Sequence, residues 1–278
     1  MLFPLLLLIA QQQQTPAAIA PKAGPVLRDA ERARAAAAKA AAPAPAGEPP
    51  RFTKCMDLAT GDPGAAIDEA VKWGAEKGGM FARQCLAVAY SNQGRWDSAA
   101  AAFEEAAGEA ETAKDGARAA VYWTQAGNAW LAAKKPPKAR AAINAALASG
   151  QLKGLALGEA YLDRARAAVA SGENVGARAD IDVAIAKAGD DPLAWLLSAT
   201  LARRMNDLPR AQKDIAEAVK RAGDDAAVQL EAGNIAAASG DEAGAKAAWN
   251  KVVTAAPSSP QATAARAALA QFEAAPAK

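Results

Sequence analysis

The chain has 278 residues, with 32 basic against 30 acidic side chains and a formal charge of +2. A balance that even supplies no bulk attraction to nucleic acid or to acidic membranes. There is no histidine, there are only two cysteines, and aromatics make up 5%; the commonest general base is missing and a zinc site lacks ligands. Alanine, the strongest helix former, dominates, and no stretch alternates with period two, so an all-α fold is expected.

Residues 1–10, MLFPLLLLIA, form an apolar run of signal-core length, too short for a spanning helix, which needs about 20 residues. Small residues follow at Ala10, Ala17, Ala18 and Ala20, so residues 1–20 read as an export signal. No Lys or Arg stands near Met1, which departs from the usual signal pattern. The expected destination is a periplasm-like compartment, with the cytoplasm as the alternative. No cysteine lies near the cleavage region, which argues against a lipid anchor there, and no stable membrane span is expected after signal removal. Residues 21–50 are Ala/Pro-rich with little that is large to bury, and read as a flexible leader.

From about Arg51 the character changes, and residues 51–278 read as a helical body. Large apolar residues recur at helical spacing, and turn signals recur near Gly61, Gly94, Lys134, Gly172, Asn206 and Gly240. In the unit that starts at Ala226, Gly233 is eighth, Ala245 twentieth and Trp249 twenty-fourth. The unit from Pro192 has Trp195, Ala199, Ala211, Ile215 and Ala218 in the same register. That from Gly158 has Tyr161, Ala165, Ala177, Ile181 and Ala184. The unit from Ala120 has Trp123, Gly127, Ala139, Ile143 and Ala146; that from Met80 has Ala87, Ala99, Phe103 and Ala106. Extra residues around Gly108–Asp115 and Gly150–Leu155 are expected in loops between hairpins. A degenerate first unit turns at Gly61–Pro63 with a short first helix near Phe52–Ala59, and Pro260–Glu273 reads as a closing helix.

This frame resembles the tetratricopeptide repeat, whose period is about 34 residues. The resemblance covers nearly everything after the leader. It implies an α-solenoid of tandem antiparallel helix hairpins, about six of them, with a C-terminal capping helix. An irregular helical bundle is the rival. In the family, small residues at the eighth and twentieth places let the two helices of a hairpin touch, and large residues around them fill the contact.

Asp190–Asp191 and Asp224–Asp225 each precede a repeat start, so they read as helix caps and not as catalytic pairs. Glu159, Asp163 and Arg166 read as charge pairing along a helix. The six tryptophans, Trp73, Trp96, Trp123, Trp130, Trp195 and Trp249, read as core. The frame sets Cys55 and Cys85 on neighbouring first helices, where a disulfide would pin the weak first hairpin to the second; two unbonded thiols are the alternative.

The resemblance also implies a concave surface lined by first helices. The places that face it hold Gln84, Ser91, Asn92, Thr124, Asn128, Arg166, Thr200, Arg203, Arg204 and Asn234, bordered by Gln125, Asp163 and Glu231. The candidate protein-binding set is Gln84, Asn128, Asp163, Arg166, Arg203, Arg204 and Asn234, with Asn128 and Asn234 offering amides to a peptide backbone and the arginines a basic strip. The fifth places hold Gln84, Thr124, Leu162, Leu196 and Leu230 where a clamp for a chain-terminal carboxylate needs lysine, which puts chaperone-tail binding in doubt. The expected function is a scaffold or adaptor for another envelope protein, with no enzymatic activity, cofactor, metal or nucleic acid. Self-association as a structural stabiliser is the alternative.

Overall fold

The computed structural model describes residues 48–274, with side chains through residue 272. The export signal and most of the expected leader lie outside the described residues. Thirteen helices, and no strand, occur among the described residues. They pair as α1 (Pro50–Gly61) with α2 (Pro63–Ala75), α3 (Gly79–Asn92) with α4 (Trp96–Thr112), and α5 (Gly116–Ala132) with α6 (Pro136–Ala148). The pairs α7 (Gly154–Ala170) with α8 (Asn174–Ala188), α9 (Pro192–Arg204) with α10 (Leu208–Ala222), and α11 (Ala226–Ala238) with α12 (Glu242–Ala255) follow, and α13 (Pro260–Ala274) closes the stack.

Seven of the thirteen starts are explained by an aspartate cap or, at α1, by a leading proline. Asp62, Asp115, Asp191, Asp207, Asp225 and Asp241 are N-caps whose carboxylates accept backbone N–H groups of the first turn. Asp191 accepts from Leu193 at 2.7 Å and Asp225 from Ala227 at 2.8 Å, so both doubled aspartates are caps as expected. Pro50 opens α1 instead of ending the leader, because the first helical position has no N–H to lose. The expected turns at Gly94, Gly172 and Gly240, and at Lys134 and Asn206, all adopt positive φ.

The core follows the repeat register. Ala99 and Ala106, Ala139 and Ala146, Ala177 and Ala184, Ala211 and Ala218, and Ala245 are all fully buried. Between them sit the large residues Phe103, Ile143, Ile181, Ile215 and Trp249, each buried. Glycine is used where even alanine is too large: a β-carbon on Gly233 would stand 2.5 Å from Cδ1 of Trp249, and one on Gly127 would collide with Ile143. Replacing Gly233 with alanine is therefore expected to cost about 1–3 kcal/mol by overpacking. Urea unfolding followed by Trp fluorescence checks this, and an unchanged midpoint would refute the close approach.

Three expectations change. Of the residues around Gly108–Asp115 only residues 113–115 form the connecting turn; the others extend α4 to Thr112, because the apolar stripe of Ala106, Ala107 and Ala110 continues into them. The first helix is a full twelve residues and not short. The tryptophans divide: Trp73, Trp130 and Trp249 are buried, Trp123 and Trp195 are half-buried, and Trp96 is 39% exposed. Trp96 is the first residue of α4, at the turn end of hairpin two, and belongs to none of the core clusters.

Each helix packs on the next along the chain, and first helices also touch one another, α1 with α3, α5 with α7, and α9 with α11. No two second helices approach to that degree. The first-helix side is thus the shorter edge of the stack. Cys55 and Cys85, both fully buried, are joined as a disulfide that ties α1 to α3.

Candidate functional site

The first-helix wall is where the sequence places its candidate residues, and the structure sorts them by whether their polar atoms are already used. Gln84 on α3 accepts the Tyr122 hydroxyl of α5 at 2.8 Å. Burial pushes the Tyr122 phenol above its ordinary pKa, so it remains a donor there. Ser91, Thr124 and Thr200 each donate to the carbonyl four residues back, at 2.9 Å. Asn92 donates to the Ala59 carbonyl at 2.7 Å and helps to seat the first hairpin.

The largest correction concerns α9 and α11. Arg203 donates twice to Glu231, at 2.7 and 3.2 Å, and Asn234 donates to the same carboxylate at 3.3 Å. The amide oxygen of Asn234 accepts the Trp249 indole N–H at 3.2 Å. Asn234 is therefore part of the packing and not a spare amide. Asp163, 8% exposed, is occupied by Arg166 at 2.9 Å. Two side chains of the set remain open: Asn128 on α5 and Arg204 on α9, both exposed.

Arg166 and Arg204 meet at a pocket that opens between α7 and α9, two successive first helices that do not close on each other as α5 and α7 do. Val169, Leu197 and Leu201 provide its apolar floor, and Thr200 lies between the arginines. Its cavity volume is only about 20 Å³, room for little more than a single water, so it is a shallow depression and not a ligand-sized pocket. Arg204 has no carboxylate partner among the described residues. Desolvation, and then the neighbouring Arg203, lower its pKa from the usual arginine value. The sequence reading missed the floor. Its signal is Leu197 at the sixth place, where other hairpins carry Gln125, Asp163 and Glu231.

On the opposite side, Arg178 donates to Ser198 Oγ at 2.8 Å and to Asp182 at 3.0 Å, Ser198 donates to Asp214, and Arg210 joins Asp182. The network is balanced in charge and locks α8, α9 and α10 in register. Among the described residues no group of three or more His, Cys, Asp or Glu is placed to hold a metal. No helix among them is long and apolar enough to cross a membrane.

No family model matches the sequence, and no curated protein matches it. Solved structures do. PilW, a widely conserved type IV pilus biogenesis factor, superposes with a TM-score of 0.61 at 18% identity, over 77% of this chain and 97% of PilW. PilF of Pseudomonas aeruginosa gives 0.60 at 14% identity, over 78% and 97%. YrrB, described as a TPR protein with an unusual peptide-binding site, gives 0.52 at 17% identity, over 70% and 95%. The fold is that of a tetratricopeptide-repeat solenoid. The regular hairpins, the shared alanine register and these superpositions set aside the irregular bundle. At these identities the likeness is one of fold, which a tetratricopeptide-repeat chain can put to different uses.

Proposed function

We propose that this chain is an exported scaffold that holds a segment of another protein along its first-helix wall, between Asn128 on α5 and Arg204 on α9. The observation that carries the reading is Arg204, an exposed guanidinium without a carboxylate partner among the described residues, at the edge of the shallow depression between α7 and α9. A solenoid wall of this kind gains affinity from length, because each hairpin adds contacts to an extended partner. The reading needs no catalytic step and no cofactor. The peptide-binding site of YrrB and the pilus role of PilW are properties of those proteins; they support the reading only through the shared fold.

Export rests on two independent features. The apolar run of residues 1–10 precedes small residues suited to cleavage. The Cys55–Cys85 bond fits an oxidising compartment such as a bacterial periplasm.

A photo-crosslinking side chain placed at position 128 or 204 should capture the same partner in cells, while one at Lys213, on α10, should not. A product of twice the chain's own mass would overturn the scaffold reading in favour of self-association. Terminal sequencing of the native protein should find at least the first ten residues gone; intact Met1 would refute export.

A further inference from the structure

We infer that residues 26–42 of the leader occupy the first-helix wall across α3 and α5, so that the chain brings its own occupant and a partner has to displace it. The overlap is at Asn128. The displacement rests on the first-helix wall being the binding face; the seating of the leader there does not.

The wall at α3 and α5 is uncharged. No charged residue stands between Arg83 and Arg95, or between Arg118 and Lys134. Along α5, Val121, Thr124, Asn128 and Ala132 share one face; Val121 is 45% exposed, and Asn128 and Ala132 are exposed too. Val88 on α3 and Leu131 on α5 border them, both half-buried. Oε1 of Gln125, on the same helix, is buried and meets no donor among the described residues. An apolar face of this kind gains by being covered, and the unmet acceptor gains from an occupant that brings an N–H.

The start of α1 points to the occupant. Phe52 meets Phe81 of α3 at 5.3 Å, and the Arg118 guanidinium of α5 lies over the same ring at 4.8 Å. The chain therefore enters α1 where α3 and α5 begin. Glu48 is near enough to Tyr122 of α5 to act on its phenol: burial raises that pKa most, and Asp115 and Glu48 raise it further against Arg118. The leader matches the wall in kind. At helical spacing Val26, Ala30, Ala33, Ala37 and Ala41 fall on one face without a charge, and Arg28, Arg32 and Lys39 fall opposite. Arg32 and Arg34 flank that face and carry the N–H groups that Gln125 lacks. It also matches in length. Residues 43–47 reach at most about 17 Å, and a helix over residues 26–42 would run about 25 Å, roughly the width of two helices side by side.

The test uses the full mature chain with a benzophenone side chain at position 121. Irradiation of the purified protein should join it to residues 26–42 at the mass of one chain, read by mass spectrometry of the digest. Ala33→Glu with Ala37→Glu, which sets carboxylates in the apolar face, should abolish that product. Ala35→Glu with Ala42→Glu, on the opposite face, should leave it. A dye-labelled synthetic peptide of residues 24–44 should bind the Ala33→Glu, Ala37→Glu chain about tenfold more tightly than the unaltered chain, whose own leader competes at roughly millimolar effective concentration. Circular dichroism confirms that the variants fold. A crosslink confined to the thirteen helices, or a leader crosslink that survives Ala33→Glu with Ala37→Glu, overturns the inference. So does equal binding, or no binding, of the peptide by the two chains. A product of twice the chain's mass overturns it in favour of leaders exchanged between copies. If the inference falls while position 128 still captures a partner in cells, the wall binds and only its built-in occupant is wrong; if position 128 captures nothing as well, both readings fall.

Discussion

Replacing Cys55 and Cys85 with serine is expected to destabilise the first hairpin by about 3–4 kcal/mol, from the chain-entropy cost of closing a loop of this size. The two residues are 30 apart in sequence and join α1 to α3. Across that junction Asn92 bonds the Ala59 carbonyl, Phe52 meets Phe81 at 5.3 Å, and the two hairpins share one buried core; within the first hairpin Arg51 reaches Glu69 at 2.7 Å and Glu76 at 2.5 Å. The Arg51 pairs are solvent-accessible and add little. Serine also puts hydroxyls at two fully buried positions. In a solenoid each hairpin contacts only its neighbours, so the loss stays local. Amide hydrogen exchange should accelerate across residues 50–75 with hairpins four to six unchanged. Equal acceleration throughout the chain, or none, would show that the bond does not act as a terminal clasp.

Much of this fold is legible in the sequence, because the repeat is enforced by volume. Where helices of a hairpin cross, only alanine or glycine fits, and the sequence obeys at Ala99, Ala139, Ala177, Ala211 and Ala245. Turn chemistry repeats with it, in Gly94, Gly172 and Gly240. What was not legible is the length of helices between hairpins. Gly108 and its neighbours read as a loop, yet the buried alanines leading into that stretch, Ala102, Ala106 and Ala107, and Ala110 within it, supply enough apolar surface to keep α4 helical as far as Thr112. Trp96 misled for the opposite reason. A large aromatic at a helix start looks like core, but this one lies at a turn edge beyond the core clusters.

The candidate wall was only half legible. Repeat register tells which helix face a residue occupies, and it placed Arg166, Arg203 and Arg204 on one side. It does not tell which polar atoms are already spoken for. Arg203 and Glu231 sit on successive first helices, and their pairing depends on the spacing between α9 and α11. Arg203 and Arg204 are adjacent in sequence and opposite in fate: one is held by a buried carboxylate, and the other faces the pocket. A one-residue difference on a helix rotates a side chain by about 100° around the axis, which is enough to separate a structural arginine from an available one.

That distinction carries the last prediction. Glu231→Ala is expected to cost about 2–4 kcal/mol, because it strands two donors at once. Arg203 loses both of its bonds to the carboxylate, and Asn234 loses one. Glu231 is 7% exposed, so water replaces it poorly. The Arg203 side chain, 21% exposed, recovers part of its hydration, which keeps the loss below that of a fully buried pair. Asn234→Ala belongs to the same network and leaves the Trp249 indole N–H without its acceptor, for about 1–2 kcal/mol. Arg204→Ala, in contrast, should change stability by less than about 0.5 kcal/mol, as exposed substitutions do. Urea unfolding and hydrogen exchange over α9–α12 measure all three. If Glu231→Ala and Arg204→Ala shift the unfolding midpoint equally, the division of this wall into packing residues and available residues is wrong. If only Glu231→Ala and Asn234→Ala do so, Arg204 is free of any structural duty, and loss of partner binding in its variants can be read as loss of contact.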